Sequence, residues 1–392
     1  MTDPAPRITF VVTRADDLGG AQVHVRDVSL ALAAHGWDVH VLAGSRGPLS
    51  EALEHERITF QSLPHLVRPV RPGEDLRAGR EIRTALREIG PDLVSLHSSK
   101  AGILGRLGAV GLGVPVLFTA HGWGFSSSTN SLTRRTFRLM ERAMAPLADR
   151  IIAVSEADRE LALKYRLATP SQVVAVHNGM PDVPPTLRAR PADEPPHLVM
   201  VARFAPPKDH TLLVEALSDL QELDWHLSFV GDGPQEPEIR ALVQRRGLEA
   251  RISFLGFRKD VAELLAAAQA FILVSRSEAF PRSILEATRA GLPTIASDVG
   301  GIRESVLTER TGFVVPGGDR EALREHLRVL LREPTLRSTM GDQARDLYEA
   351  KFTFDRMLAR TVGVYESLLG RPLPLSASSG WSRVEGDPTE LT

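Results

Sequence analysis

Cysteine is absent from the 392 residues. Disulfides, iron–sulfur clusters, cysteine-ligated zinc and thiol nucleophiles are therefore excluded. No apolar run approaches the roughly 18 residues needed to span a bilayer. The opening MTDPAPRITF is acidic and broken by proline, where a secretory signal requires a basic and then an apolar segment. A cytoplasmic protein is the resulting expectation. Neither sign of charge dominates: the formal net charge is -2, which excludes no partner class, and no nucleic-acid partner is expected. No spacing of Asp or His suggests a metal site, so neither a metal nor a cofactor is expected.

What is present is the composition of a folded protein. With 43% hydrophobic and 24% charged residues the chain can bury a core, and its length suits two domains. The organising stretch is SRSEAFPRSILEATRAGLPTIASDVGG, from Ser275 to Gly301. It follows Ala270 to Val274, whose length and apolar composition suit a strand buried on both faces. Ser283 to Ala290 then reads as a helix, stopped by Gly291 at a left-handed cap position and by Pro293 beyond it. Glu278 and Glu286 thus lie at the carboxyl end of one strand of an open sheet, where α/β proteins bind ligands.

That arrangement has a chemistry. Backbone N–H groups from Phe280 to Ile284 point out of a helix start and favour an anion such as phosphate. Pro281 has no N–H, so such contacts fall to Arg282, Ser283 or Ile284. Glu286, one turn in, can accept hydrogen bonds from ribose-like hydroxyls, and Glu278 can hold a second polyol. A nucleotide sugar has all three parts. The plainer alternative is two solvated acids at a helix start, where the dipole favours them.

Strand and helix signals alternate through the first half. Ile8 to Thr13, Asp38 to Ala43, Ile58 to Gln61, Leu93 to Leu96, Val116 to Thr119, Ile151 to Val154 and Val173 to Val176 read as strands, with helices such as Glu74 to Ile89 and Ser131 to Leu147 between them. This implies a parallel sheet covered by helices on both faces. Gly19 and Gly20 in ADDLGGAQ bring backbone close to a ligand or simply make a tight turn. His97 and Lys100 in HSSKAGILGRLGA sit at a strand's carboxyl end, where they can touch an acceptor or cap a helix. His121 in FTAHGWGFS opens a Gly- and aromatic-rich loop that suits a site wall. Between His65 and Arg150 thirteen basic residues face seven acids, a patch suited to an anionic membrane surface or a diphosphate-bearing acceptor, or merely a solvated helix surface.

Residues 181–196 are too rich in proline for a helix or central strand, and they separate a first domain, 1–180, from a second, 197–350. In the second, Arg203 and Lys208 follow a strand ending at Val201, and two cations in such a loop can neutralise a diphosphate. Gly231 in GDGP allows another close approach. Pro334 to Ala350 and Phe354 to Leu369 read as a final pair of helices, and 371–392 as a flexible tail.

Glu278 and Glu286 with seven residues between them, followed by EATRAGLPTIASDVGG and by TGFVVPGGD at Thr311 to Asp319, resemble the donor-site signature of glycosyltransferase family 4, retaining enzymes of the GT-B fold. The resemblance covers roughly residues 7 to 368. Many members carry Glu-Gly-Phe-Gly where this chain has Glu278, Ala279, Phe280 and Pro281. The fold implied is α/β, two doubly wound Rossmann-like domains facing a deep cleft, with the acceptor held by the first and the donor by the second. The activity implied is transfer of a sugar, with retention, from a nucleotide diphosphate sugar, taken as a UDP-sugar, to a hydroxyl of a glycan or lipid-linked acceptor in cell-envelope polysaccharide synthesis. The resemblance assigns Arg203 and Lys208 to the leaving diphosphate, so no metal is required. It puts Gly19 and Gly20 beneath the donor phosphate and the acceptor, His121 and Glu278 at the transferred sugar, Gly231 close to the donor, Phe257 and Arg258 about the base, and residues 351–370 in a helix crossing back to the first domain. A sugar-nucleotide 2-epimerase of the same fold and a module that only binds nucleotide sugar are the alternatives. Nucleotide diphosphate release measured with and without acceptor separates the three.

Overall fold

The computed structural model describes residues 5–54, 58–126 and 130–373. The chain divides into two compact units, one made of residues up to Asn178 together with those from Asp355, the other running Gly179–Phe354. Each is built on one parallel sheet.

In the first unit the strands are β1 (Arg7–Val12), β2 (Asp38–Ala43), β3 (Thr59–Ser62), β4 (Leu93–His97), β5 (Val116–Ala120), β6 (Arg150–Ala153) and β7 (Val173–Ala175), in the order β3-β2-β1-β4-β5-β6-β7. All pairs are parallel, with Val12 opposite both Ala43 and His97. Every residue of β4 and β5 is buried, as expected of central strands covered on both faces. The helices are α1 (Gly20–Ala34), α2 (Pro48–Glu54), α3 (Pro72–Ile89), α4 (Ser99–Ala109), α5 (Ser131–Met144) and α6 (Glu156–Lys164). The sequence predicts one helix from Ser131 to Leu147, but the α ladder stops at Met144 and a 3-10 turn, Ala145–Leu147, follows. Pro146 supplies no N–H and clashes with the preceding turn, which ends the helix. The edge strand also lies one residue later than its expected Ile58 to Gln61, because an edge carries only a weak inside–outside pattern.

The second unit repeats the plan: β8 (His197–Val201), α7 (His210–Ser218), β9 (His226–Val230), α8 (Glu236–Arg245), β10 (Ile252–Phe254), α9 (Val261–Ala266), β11 (Ala270–Leu273), α10 (Arg282–Ala290), β12 (Thr294–Ser297), α11 (Ile302–Ser305), β13 (Gly312–Val315), α12 (Arg320–Arg332) and α13 (Pro334–Leu347). The sheet order is β10-β9-β8-β11-β12-β13. A continuous apolar core joins both sheet faces to the helices, with Trp225, Phe204, Phe229 and Phe271 fully enclosed. The proline-rich stretch 181–196 is bound into this unit. Arg337, fully buried, donates to the carbonyls of Pro191, Leu330 and Asp193, and Ala189 N–H donates to Ala290. The helix expected from Pro334 to Ala350 gives way at Tyr348 to a π turn, Tyr348–Phe352, whose Tyr348 hydroxyl donates to the Met180 carbonyl at 2.9 Å. A last helix, α14 (Phe354–Leu369), belongs to the first unit from Asp355 onward. Most of the expected tail, from 374, lies outside the described residues.

Both sheets reverse strand order once near their centres, between β1 and β4 and between β8 and β11. The crevice at the carboxyl ends of such a pair is the usual ligand position in open α/β sheets. The loops that leave β1, β4, β8 and β11 carry most of the residues singled out above.

Candidate active site

In the second unit the loop after β8 is zipped to the loop after β11. Asp209 N–H donates to the Val274 carbonyl at 3.0 Å and Arg276 N–H to Pro207 at 2.9 Å, and Lys208 bridges Ser275. This register places the Lys208 ammonium on the Glu278 carboxylate as an ion pair, with both side chains largely withdrawn from water. Arg203, five residues earlier, is exposed. Gly231 closes the same face: with φ +139 its backbone lies where a Cβ would meet the Ala202 carbonyl oxygen at 2.3 Å. Phe204 N–H donates to Asp232 at 2.8 Å, which fixes the Gly231 loop against the Arg203 loop.

The Glu278 loop is held from the other side by the Gly-Gly pair at the end of the organising stretch. Gly300 has φ +56, and a Cβ there would lie 1.8 Å from the Glu278 carbonyl oxygen. Gly301 N–H donates to Ala279 at 2.9 Å. Only a glycine permits that approach. Phe280 is buried, its ring packed edge-on against Phe352 at 5.6 Å, so its side chain anchors the loop and any donor contact is left to its backbone.

Helix α10 begins after Pro281 and ends at Gly291 with φ +81, the left-handed cap read from sequence. Of the three amides expected to meet an anion, Ile284 N–H is already used by the Pro281 carbonyl at 3.2 Å. This is a correction: the tight first turn consumes it. Glu286 is partly enclosed on α10. Burial pushes its carboxyl above the ordinary glutamate value, and Arg282 and Arg289 on the same helix only partly oppose this. In the β10 loop Phe257 is 70% exposed, and the Arg258 guanidinium grips Asp260. Gly256 accepts from Gly231 N–H at 2.8 Å, joining this loop to the one after β9.

In the first unit Gly19 is the N-cap of α1 and Gly20 its first residue, close to the carboxyl end of β1. Lys100 is spent structurally. Its ammonium pairs with Asp75 and donates to the carbonyls of Val67 and Pro69, so it ties α4 to the segment before α3 and is not presented to an acceptor as expected. His97 ends β4, fully buried, and its Nδ1 lies 3.0 Å from His121 Nε2. Its Nε2 lies 3.0 Å from Ser95 Oγ. His24, absent from the sequence-derived candidates, joins them from α1, its ring centroid 5.4 Å from that of His97 and 4.9 Å from that of His121. Its one sequence signal is a histidine on the apolar face formed by Val25, Val28 and Leu32. Gly300 was likewise missed as a positioning residue, although the DVGG stretch containing it was noted.

Two family models match the chain in succession, Glycosyltransferase Family 4 over residues 18–182 and Glycosyl transferases group 1 over residues 188–347. Together they span more than four fifths of it. The chain is 29% identical over 299 residues to UDP-Gal:alpha-D-GlcNAc-diphosphoundecaprenol alpha-1,3-galactosyltransferase of Escherichia coli, covering 72% of this chain and 77% of that one. It is 25% identical over 350 residues to the putative glycosyltransferase EpsD of Bacillus subtilis, covering 85% and 90%. Among solved structures, HepE of Anabaena in complex with UDP and glucose superposes with a TM-score of 0.80 at 21% identity, covering 92% of this chain and all of that one. Two parallel α/β sheets of this order, and models matched across both units, show that the chain is a glycosyltransferase of the GT-B fold and belongs to glycosyltransferase family 4.

Proposed function

We propose that the protein transfers a sugar from a UDP-sugar to a hydroxyl of a glycan or lipid-linked acceptor, with retention of anomeric configuration. The observation that carries this reading is the Lys208–Glu278 pair beside Arg203 and the α10 start. A nucleotide diphosphate sugar presents in sequence a ribose, two phosphates and a polyol, and this face offers in sequence Glu286, cations with backbone amides, and Glu278. Arg203 and Lys208 act on the leaving diphosphate, whose oxygens gain charge as the glycosidic bond breaks, so their attraction grows toward the transition state. Arg282 and Ser283 amides add hydrogen bonds to the same phosphates. Glu278 holds sugar hydroxyls once Lys208 turns to phosphate. Gly231 lets the backbone approach the donor closely, and Phe257 and Arg258 receive the base. The cationic side chains serve as the electrostatic partner of the leaving group, so turnover proceeds without an added divalent metal.

The acceptor falls to the first unit, with Gly19, Gly20 and His121 in the loops after β1 and β5; His97, buried and with both ring nitrogens engaged, orients His121 and does not itself meet the acceptor as expected. UDP as the nucleotide is supported by the HepE complexes with UDP and with UDP-glucose, and a lipid-linked acceptor by the diphosphoundecaprenol substrate named for the E. coli relative. Peripheral contact with anionic lipid fits helix α5, where Leu132 and Leu139, 71% and 57% exposed, recur at i and i+7 among Arg134, Arg135, Arg138 and Arg142. Among the described residues no helix is long and apolar enough to cross a membrane.

The test is UDP release from UDP-sugars in chelator, with and without a polyprenyl-diphosphate-linked sugar acceptor. Acceptor-dependent release supports the reading. Conversion of the donor to an epimer without acceptor, or binding with no turnover, contradicts it.

A further inference from the structure

We propose that Ser95 and His97 are positioning residues that fix His121 as a hydrogen-bond donor, with its proton on Nδ1 and its lone pair, on Nε2, already occupied. The inference rests on the placing of His121 beside the transferred sugar and the acceptor proposed above. Ser95 and His97 lie two residues apart on β4 and so share one face of the sheet. His121 directly follows β5, the neighbouring strand. The contacts run in one line: Ser95 Oγ lies 3.0 Å from His97 Nε2, and His97 Nδ1 lies 3.0 Å from His121 Nε2.

A chain of this kind has a direction, set by its buried end. Ser95 and His97 are buried, whereas His121 is only partly so. Burial, with the His121 and His24 rings beside it, holds the His97 pKa well below the ordinary histidine value. The ring is therefore neutral, with one N–H and one lone pair. With that proton on Nε2, His97 would donate to Ser95 Oγ, and the serine proton would turn to the Tyr365 hydroxyl of α14, its other side-chain partner among the described residues. The Tyr365 proton, kept on the phenol by burial, would then be enclosed with no acceptor among the described residues, which is costly. The opposite arrangement satisfies each group. Tyr365 donates to Ser95, Ser95 to His97 Nε2, and His97 Nδ1–H to His121 Nε2.

The consequence falls on His121. With Nε2 accepting, the neutral ring carries its proton on Nδ1, and whatever Nδ1 meets it meets as a donor. It can hydrogen-bond the oxygen of a sugar hydroxyl, but it has no lone pair left with which to take the acceptor proton as a general base.

The test reads the tautomer directly. Full-length protein, isotopically labelled at its histidine nitrogens, gives nitrogen–proton correlation spectra of the rings without donor or acceptor, and His97→Gln and His121→Gln assign them. The Nδ1–H form is expected in both wild-type rings. In Ser95→Ala both rings should become mixtures of tautomers, and acceptor-dependent UDP release should fall about tenfold, the scale of one neutral hydrogen bond. Should Ser95→Ala fail to fold, the wild-type spectrum decides alone: Nδ1–H in His121 supports the proposal, and Nε2–H or a mixture overturns it. Unchanged tautomers in folded Ser95→Ala, or unchanged UDP release despite mixed tautomers, also overturn it. If the wild type releases no UDP, the transferase reading fails, while Nδ1–H in both rings still supports the chain.

Discussion

Lys208 and Glu278 lie 70 residues apart in sequence and form an ion pair where the loops after β8 and β11 are zipped together. Their side chains are 17% and 11% exposed, so each charge depends on the other for the hydration it has given up. Lys208→Ala strands the carboxylate, at a cost of about 1.5–3 kcal/mol. Adding Glu278→Gln should recover part of that loss. Chemical denaturation of the four members of the cycle measures the coupling, and strictly additive effects would deny that the pair exists in solution.

Gly300 sets where Glu278 sits. A methyl group at residue 300 would meet the Glu278 carbonyl, and φ +56 disfavours any side chain there. Gly300→Ala should therefore lower turnover about 100-fold by displacing the loop, while the core of the second unit melts as one transition. Wild-type turnover in Gly300→Ala would remove Glu278 position from the account.

Glu286 has opposite effects on binding and stability. Its folded-state pKa is raised above the ordinary 4.5 by burial, so the folded state holds its proton more tightly than the unfolded state does. Stability is then lost as pH rises from 4.5 through the folded value. Glu286→Gln should melt higher than wild type at pH 8 and alike at pH 4, while Glu286→Ala should bind UDP about tenfold more weakly, a charge-assisted hydrogen bond to ribose being lost. Calorimetry showing unchanged UDP affinity would refute the ribose assignment.

Acid stability should depend on His210. Burial lowers its pKa from 6.5 to about 4, with Lys208 adding to the effect, and its ring stacks on Phe204 at 4.2 Å. The unfolded state binds the proton first, so stability is complete above pH 6.5 and falls as pH drops toward 4, by about 3 kcal/mol for this residue. Denaturation midpoints measured across that window should be flatter in His210→Gln, and parallel curves would contradict the shift.

Helix α5 makes a prediction about lipid. Only Glu141 of its residues is buried, held by Arg106 at 2.6 Å; Phe137 packs on the core and Arg138 lies over the Tyr165 ring, while Arg134, Arg135, Arg142, Leu132 and Leu139 face water. Sedimentation with phosphatidylglycerol vesicles should be strong at low salt and weak at high salt, since screening acts within about 10 Å at 0.1 M. Equal partitioning to neutral vesicles, or none to either, would reject lipid contact.

Local signals made much of this legible. The run Ala270 to Val274 and the Gly291 cap located β11 and α10 to within one residue, and the final helix starts and stops where its pattern does. What sequence could not supply were pairings made by topology. Nothing near Lys208 announces Glu278, nothing near Lys100 announces that Asp75 will take its charge, and histidines at 24, 97 and 121 become neighbours only because β1, β4 and β5 lie side by side. Likewise Ile284 looked like a phosphate donor until the turn at Pro281 engaged its N–H.

Steady-state kinetics of Lys208→Ala on the proposed UDP-sugar donor bear most directly on the proposal that Lys208, with Arg203, stabilises the departing diphosphate. A group that acts on charge developing in the transition state should change turnover more than donor binding. The account predicts turnover lower by about 100-fold, the scale of losing one preorganised electrostatic partner, a smaller change in KM, and non-additivity with Arg203→Lys. A raised KM with turnover intact would contradict it.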